Sequence, residues 1–534
     1  MAEVAQSVLL PSVACWALEQ GQLETALLTT LMKLLEDHVR ALAKRSVDGV
    51  IALSQAEEQH SVNLIKALGA VLPFLLVHVL ESGPYMTRLN LQDSTSRSSL
   101  PTDRIRPSEN PLLGPATIVG DASRTAVLVT AFDEHIGQEW YKTWPAFDWL
   151  LSKFIPFMTS IVASTKPHSR PTVHALSELL KNFCQLFGRT FTHSKVKPAF
   201  TALLPLTDAS SVASGEALTN ATAPVYACGV LTAFCSETDR KELVGFLKSL
   251  LFVVSLCDVS LASIQSALLE LGCDKNHQET LLAALWEGVV HASPLVRANA
   301  ARLFELFVGA VPDMLLKNRV APALVTLASD PEISVRVGTV RPFGTILALS
   351  TQKEASPLLD KAFLQLQTFL EDPQHRDNHC TQVEFIQMFA SLGPNTEPRF
   401  RDEFILPHLA VLAIRNNQNA SDSLRAEVAE LLLEAYTALS CTYIPEQVIS
   451  EAFLPGLRCL LEDARQVAPC HEAAVAAMIS NFESKLDCSR DRTPSLTSPI
   501  ASMEEMKRKM TKIFTTPPAN ARANLPNIFQ LRKK

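Results

Sequence analysis

Clusters of histidine, cysteine and acidic residues mark the few places where this chain could do chemistry. The tripeptide from His375 to Asp377 matches the catalytic loop of kinases, and His379 with Cys380 adds two metal-ligand types beside it. A third cluster runs from Cys470 to Glu472. A kinase also needs a glycine-rich phosphate loop, and a zinc site needs a second ligand pair; the sequence supplies neither. We therefore predict chance matches in solvated turns, and no enzyme, cofactor or metal site.

A basic amphipathic segment near the C-terminus is the one candidate contact site. Between residues 501 and 514, apolar side chains share one helical stripe and basic side chains fill the remainder. Residues 501–534 carry a net charge of +6 in a chain that totals −7. Such a helix can dock in a partner's groove, lie on an anionic membrane, or cap the last repeat; all three interpretations stay open. The predicted contact residues are Met503, Met506, Lys507, Arg508, Lys509, Met510, Ile513 and Phe514.

The element that must position any site is a repeated proline phrase. Its pattern is hydrophobic, any residue, proline, any residue, hydrophobic, two residues, hydrophobic. Successive prolines are separated by 83, 42, 124, 85 and 48 residues, close to multiples of a period of about 42 that is typical of HEAT-type repeats. Proline fits the first turn of a helix, so each copy predicts a helix start. The prolines are Pro73, Pro156, Pro198, Pro322, Pro407 and Pro455.

Two repeat units can be aligned in full. Arg297 and Arg336 lie 39 residues apart, each in a Val-Arg pair that follows a proline-containing turn. This resembles the HEAT repeat, whose turn often carries Asp-Pro, as at Asp330. We expect Asp330 to cap the following helix, and the arginines and turn acids to form a ladder between neighbours. The predicted fold class is all-α, an α-solenoid of about ten HEAT-like helical hairpins.

Composition narrows the function classes. Hydrophobic residues make up 47% of 534 residues, glycine is sparse, and a charge of −7 does not suggest nucleic-acid binding. Eleven scattered cysteines without a C-x-x-C pair indicate reduced thiols in a cytosolic protein. The most apolar window, residues 67–80, spans only 14 residues, so we expect no transmembrane segment and at most peripheral membrane contact.

Four segments are predicted along the chain. Residues 1–83 are HEAT-like helices whose array is expected to continue upstream, because the first helix has no preceding partner. Residues 84–125 are rich in Ser, Pro, Asn and Asp and are predicted to form a disordered insertion. Residues 126–488 form the main repeat array. Residues 489–534 are a linker, with Thr-Pro and Ser-Pro pairs open to phosphorylation, and the basic tail.

Several stretches are more specific than the repeat phrase. The longest, from Pro394 to Phe404, reads Pro-Asn-Thr-Glu-Pro-Arg-Phe-Arg-Asp-Glu-Phe; the others are residues 195–198, 319–327 and 453–460. Together they resemble the RELCH family of Rab-binding proteins, which combine LisH, coiled-coil and HEAT segments. The resemblance covers nearly the whole chain and corresponds to the family's C-terminal HEAT-repeat half. Nothing in the chain resembles the LisH or coiled-coil part.

The resemblance implies a non-enzymatic scaffold on the cytoplasmic side of recycling endosomes and the trans-Golgi network of the Golgi apparatus. It implies binding to the GTP form of a recycling-endosome Rab GTPase and to an oxysterol-binding protein, and hence membrane tethering and cholesterol transport. No residue can be carried over to either partner, because the family offers no residue-level motif to match. The alternative is a HEAT-repeat regulatory subunit of a phosphatase or transport-receptor assembly, since the fold does not decide between them.

Overall fold

The computed structural model describes residues 9–47, 55–87, 122–136, 143–204, 216–234, 236–257, 259–349, 357–419 and 421–490. Every regular element in these ranges is helical, and the described residues contain no strand. They separate into two compact units, one through Gly288 and one from Val289. The helices pair into hairpins that stack on one another within each unit, which confirms the predicted all-α solenoid of HEAT-like hairpins.

The first unit contains fourteen described α-helical segments and four π-helical turns. The π-helical turns are Leu23–Leu28, Leu150–Phe154, Thr192–Val196 and Tyr226–Leu231. The α-helical segments are α1 Leu10–Glu19, α2 Thr29–Val47, α3 Gln55–Glu81, α4 Ala122–Ile136, α5 Pro145–Trp149, α6 Ile155–Ser164, α7 Arg170–Phe187, α8 Arg189–Phe191, α9 Lys197–Thr201, α10 Glu216–Thr219, α11 Thr222–Val225, α12 Glu237–Leu256, α13 Ala262–Gly272 and α14 Lys275–Val289.

The core of the first unit is built around α3 and an aromatic cluster. α3 packs along α7, and its residues from Ala70 to Val77 are all buried. Trp144 is fully buried, and its indole Nε1 donates to the Val79 carbonyl at 3.0 Å. Tyr85, at the other end of the cluster, donates its hydroxyl to the Leu80 carbonyl at 2.8 Å. The cluster fixes the chain on both sides of α4.

Two stretches of the described chain are apolar and long enough to cross a membrane by length and composition alone. They are Gln55–Glu81 and Pro145–Ser164, whose most apolar 18-residue windows have mean hydropathies of 1.9 and 1.2. In the first, 72% of the most apolar window is buried inside the unit, as in the core helix of a globular protein. α3 spans 27 residues, so the 14-residue window in the sequence underestimated the helix. Burial, and not length, supports its assignment as a core helix.

The second unit contains fourteen α-helical segments in the described part of the chain, with three π-helical turns and two 3₁₀ turns. The π-helical turns are Leu316–Val320, Arg401–Ile405 and Ile449–Phe453, and the 3₁₀ turns are Gly393–Asn395 and Pro469–His471. The α-helical segments are α15 Pro294–Val308, α16 Asp313–Leu315, α17 Ala321–Ala328, α18 Ile333–Val337, α19 Val340–Leu349, α20 Pro357–Glu371, α21 Pro373–Arg376, α22 His379–Leu392, α23 Pro398–Phe400, α24 Leu406–Asn417, α25 Asp422–Ser440, α26 Glu446–Val448, α27 Leu454–Val467 and α28 Glu472–Arg490.

Stacking within the second unit follows the repeat order. The second helices of successive hairpins pack on one another in the series α15, α19, α22 and α25, and the first helices α24 and α27 do the same. Phe304, Phe343 and Phe389 are buried along the row of second helices. Each hairpin therefore buries one apolar face against the hairpin before it and one against the hairpin after it.

The prolines of the repeat phrase do not start helices, so that prediction is wrong. Five of the six are the second residue of an α-helical segment that continues directly from a π-helical turn. Before Pro322, for example, Val320 is already helical (φ −74°, ψ −52°), and the Ala321 N–H bonds to the Leu316 carbonyl five residues back. Proline lacks an N–H and its ring crowds the carbonyl four residues back, and the wider π turn accommodates both defects. Pro73 lies inside α3.

The predicted ladder between neighbouring repeats is present. Arg297 donates from Nε and Nη2 to the two carboxylate oxygens of Asp330, at 2.7 and 3.0 Å. Arg336 binds the carbonyls of its own turn in the same way as Arg297, but its partner in the next repeat is His375, at 2.7 Å. Asp330 does not cap the helix as predicted. It accepts from the Glu332 N–H at 3.0 Å and stabilises the turn, and Glu332 occupies the N-cap.

The four predicted segments do not coincide with the two units, and their boundaries stay predictions. Only the ends of the predicted insertion, residues 84–87 and 122–125, belong to the described residues. Of the predicted tail, Ser489 and Arg490 end α28; residues 491–534 lie outside the described chain.

Candidate partner-binding surface

The predicted contact residues of the basic tail lie outside the described residues. Met503, Met506, Lys507, Arg508, Lys509, Met510, Ile513 and Phe514 therefore stay a prediction.

The kinase-like tripeptide is part of the repeat ladder. His375 is buried, with 1% of its surface exposed, so the predicted solvated turn is wrong at this residue. Its Nε2 accepts a hydrogen bond from Arg336, and its ring packs on Phe369 with the centroids 4.6 Å apart. Burial and the Arg336 cation both lower the pKa of His375, so the ring is neutral near pH 7. His375 thus accepts the hydrogen bond of Arg336, as Asp330 accepts those of Arg297 in the preceding repeat.

The remaining metal-ligand types are placed apart. His379 Nε2 pairs with Glu427 at 3.2 Å, and Cys380 is exposed. Cys470 is also exposed, in the turn before α28. Within the ranges that the structure describes, no three His, Cys, Asp or Glu side chains form a group that could hold a metal ion.

A shallow groove lies on the surface of the first unit. It lies between α2 and the stretch formed by the π-helical turn 150–154 and α6, and it encloses about 590 Å³. Met32 and Phe157 are half-buried and supply apolar surface. Lys33 stands on one wall and Lys153 on the other, both exposed. The groove therefore combines an apolar floor with cations on both rims.

The charged side chains on the α2 wall differ in whether they form ion pairs. Arg40 donates to Glu36 at 2.6 Å and lies 3.7 Å from Asp37, so one cation is shared between two carboxylates. Neither Lys33 nor Lys153 has a carboxylate partner among the described residues. Three cations and two anions line the groove, so its charged residues carry a net charge of +1.

A polar network crosses the second helices of three successive repeats in the second unit. Arg341 lies 2.8 Å from Glu384 and donates to Gln387, while Thr345 donates to Glu305 at 3.3 Å. Burial raises the pKa of Glu305, although Arg341 and Thr345 act against that rise. The network therefore joins acidic, basic and polar side chains of three successive repeats.

The groove is not evident from the sequence. Phe157, which lines the groove, directly follows the proline of the repeat phrase, where the pattern allows any residue. The pattern requires an apolar residue only at the next position, Met158, which lies in the core. On α2, Lys33, Asp37 and Arg40 follow one another at helical spacing, which by itself indicates an ordinary solvated face. Only the packing of α2 against α6 brings the two halves together.

Comparison with known proteins assigns the chain to a family. The model of the "RAB11-binding protein RELCH C-terminal domain" matches residues 219–481. The RAB11-binding protein RELCH homolog of Xenopus tropicalis is 39% identical over 531 residues, and RAB11-binding protein RELCH of Homo sapiens is 38% identical over 531 residues; each alignment covers 98% of this chain. The chain belongs to the RELCH family. The Danio rerio homolog is 41% identical over 483 residues, 90% of this chain.

The chain spans less than half the length of the relatives it matches. The chain spans 43% of the Xenopus tropicalis relative, 39% of the Danio rerio relative and 42% of the human one. Among solved structures, the karyopherin Kap121p aligns over 96% of this chain and 53% of its own, with 12% identity and a TM-score of 0.37. At that score the alignment supports no argument about function.

Proposed function

We propose that this chain is a non-enzymatic scaffold that binds a Rab GTPase of recycling endosomes in its GTP form. The observation that supports the proposal is 38–41% identity, across nearly the whole chain, to proteins whose names state RAB11 binding. A stacked helical array offers extended surface for a folded partner, which suits this role. The first proposed partner is accordingly a Rab11-type GTPase.

We further propose that the scaffold links recycling endosomes to the trans-Golgi network. The second partner in this proposal is an oxysterol-binding protein, and the process served is intracellular cholesterol transport, a form of lipid transport. These finer steps rest on the family resemblance alone. They also require that the surfaces for both partners lie within the part of the family that this chain represents.

Membrane association is proposed to be peripheral. The basic amphipathic segment from Met503 to Phe514 supplies both an apolar stripe and a cationic face, as an interfacial helix or a partner-docking helix requires. The proposed location is the cytoplasmic side of recycling endosomes and the trans-Golgi network.

A nucleotide-dependent binding experiment tests the first proposal. The full chain is immobilised, and Rab11 loaded with a non-hydrolysable GTP analogue or with GDP is passed over it, with Rab5 in both states as the control. We expect saturable retention of the GTP-analogue form of Rab11 only. Equal retention of both nucleotide states, or none, would contradict direct nucleotide-dependent Rab binding by this chain.

The oxysterol-binding protein needs a separate measurement. Its purified full-length form is titrated against the chain with and without Rab11 bound. Saturable binding supports the scaffold proposal, and absence of binding in both conditions removes this partner from the proposal while leaving the Rab result intact.

A further inference from the structure

Helix α1 turns its largest apolar side chains to the solvent. α1 packs on α3, and its buried residues are the small Pro11, Ala14 and Ala17. The opposite face carries Leu9, Val13 and Trp16, which are 61%, 47% and 55% exposed and follow one another at helical spacing. Single exposed apolar residues are ordinary on a protein surface, whereas several large ones in one stripe indicate an interaction surface.

Helix α2 also has an apolar side that its neighbours leave open. Leu34 is 51% exposed, and Leu31, one turn earlier on the same side, is half-buried. Met32 and Glu36 line the groove on the side of α2 that faces α6. The helix packs on α3 and on α6, so Leu34 lies on the side that neither of them covers.

The repeat order indicates what covers these two faces. A first helix packs on the second helix of its own hairpin, as α2 does on α3, and on the first helix of the next hairpin, as α2 does on α6. α1 packs on α3 as α3 packs on α7, so α1 has the position of a second helix. Among the described residues, no first helix accompanies α1 in its hairpin. A first helix at the position set by the repeat would contact both α1 and α2.

Helix α28, the last described helix of the second unit, has a different solvent face. Its described side chains include no exposed large apolar residue. The exposed residues include Ala473, Ala476, Ser480, Asn481 and Ser484. The end of a solenoid needs a polar outer face of this kind. The outer face of α1 is instead apolar, as in a repeat with a neighbour on each side.

We propose that α1 and α2 bind a HEAT-type first helix, which completes the hairpin of α1 and covers Val13, Trp16 and Leu34. Its source is the region that precedes this part of the protein in the longer family members. The family model that matches residues 219–481 describes a C-terminal domain, and the alignment with the Xenopus tropicalis relative covers 98% of this chain but 43% of that relative. Most of the relative's remaining length therefore precedes the aligned part. The proposal does not depend on Rab binding.

Hydrogen exchange of an extended chain tests the proposal. The full chain is fused at its N-terminus to the part of the Xenopus tropicalis relative that directly precedes the alignment, about 80 residues or two HEAT-type units. Exchange is followed by mass spectrometry in peptides from α1 and α2. We expect the extension to slow their exchange about tenfold or more relative to the unextended chain. A Gly/Ser extension of the same length is the control and is expected to leave the exchange unchanged.

Two double variants locate the contact. Val13→Glu/Trp16→Glu is expected to abolish the added protection, because it places charges where the helix packs. Phe363→Glu/Leu364→Glu makes the same change at residues of the second unit that are 40% and 63% exposed, and it is expected to keep the protection. Far-UV circular dichroism of the unextended variants verifies that both are folded.

Two results would overturn the proposal directly. One is an extension that adds no protection to α1 and α2, and the other is protection that survives Val13→Glu/Trp16→Glu. Sedimentation velocity of the unextended chain examines the remaining occupant. A dimer that Val13→Glu/Trp16→Glu disperses would identify a second copy of this chain on the α1 face, and the assignment to a preceding repeat would then be wrong.

Discussion

The buried ion pair between Arg425 and Asp463 gives the sharpest stability prediction for the second unit. Arg425 lies in the first turn of α25. Its Nε donates to Oδ1 of Asp463, on α27, at 2.7 Å. The other carboxylate oxygen accepts from the Asn416 side chain at 2.9 Å. The side chains of the pair are 9% and 0% exposed. Three helices of two neighbouring repeats therefore meet at one buried carboxylate.

The magnitude follows from the balance between desolvation and attraction. Burial raises the pKa of Asp463 in spite of its hydrogen bonds from Arg425 and Asn416, so desolvation outweighs the attraction within the pair. Asp463→Ala leaves the Arg425 guanidinium buried without its counter-charge and is expected to cost about 3–5 kcal/mol. Arg425→Met combined with Asp463→Leu removes both charges and is expected to recover most of that loss.

The assay has to report on the second unit separately. All five tryptophans lie at or before position 286, in the first unit, so tryptophan fluorescence follows that unit. Hydrogen exchange of peptides from α25 and α27 along a urea series follows the second, whereas far-UV circular dichroism reports on the helices of both units. We expect Asp463→Ala to lower the transition seen in those α25 and α27 peptides and to leave the tryptophan transition in place.

An exposed pair in the same repeats supplies the control. Arg458 donates to Glu483 at 2.8 Å, a length similar to that of the buried bond, but these side chains are 62% and 44% exposed. Glu483→Ala is expected to change stability by less than about 1 kcal/mol. If Asp463→Ala cost no more than Glu483→Ala, or if the double substitution were as damaging as the single one, the assignment of a desolvated pair would be wrong.

Other substitutions test separate features of the molecule. Tyr436→Phe is expected to keep stability or raise it by up to about 1 kcal/mol, because the buried hydroxyl has no partner among the described residues; a lower urea midpoint would contradict this. Gly456→Ala is expected to cost about 1–3 kcal/mol in the same assay, since its methyl group would collide with that hydroxyl, and less when combined with Tyr436→Phe. Because the folded pKa of His375 lies below 6.5, the unfolded chain binds more protons just below that pH, and stability falls on acidification through this range. His375→Gln is expected to flatten thermal melting temperatures measured between pH 7 and pH 5, and an unchanged profile would refute the assignment. Replacing Met506 and Phe514 with glutamate is expected to change the location of the expressed chain in cells and not its melting temperature; the opposite pattern would favour a C-terminal cap.

The fold class could be predicted from the sequence because the residues that define the repeat pattern are core residues. Val320, Leu324 and Leu327 of one phrase are all buried, as their spacing on one helical face requires. The Arg297–Asp330 rung was predictable for a similar reason, since both residues recur with the period of the stack. Periodic constraints come from packing against a neighbour of the same kind, so they are visible in one sequence.

Features that depend on one pair of neighbours were not predictable in the same way. The acceptor for Arg336 is a histidine where the period leads one to expect an acid, and burial next to Phe369 is what makes a neutral ring suitable there. The π-helical turns before the prolines were also missed. A helix that starts at the proline and a continuous helix with a π-helical turn before it have the same sequence pattern. Only the backbone conformation distinguishes the two.

The residue after each phrase proline shows why the same pattern can hold both a core and a site. The next position is committed to the core, as Met158 and Leu457 are both buried. The position directly after proline faces whatever the neighbouring helix provides. In the first unit it is Phe157, which lines the open groove beside α2. In the second it is Gly456, where the Tyr436 ring leaves no room for a side chain. The position after proline therefore varies with its surroundings, from the half-buried Phe157 to the enclosed Gly456, whereas the next position stays in the core.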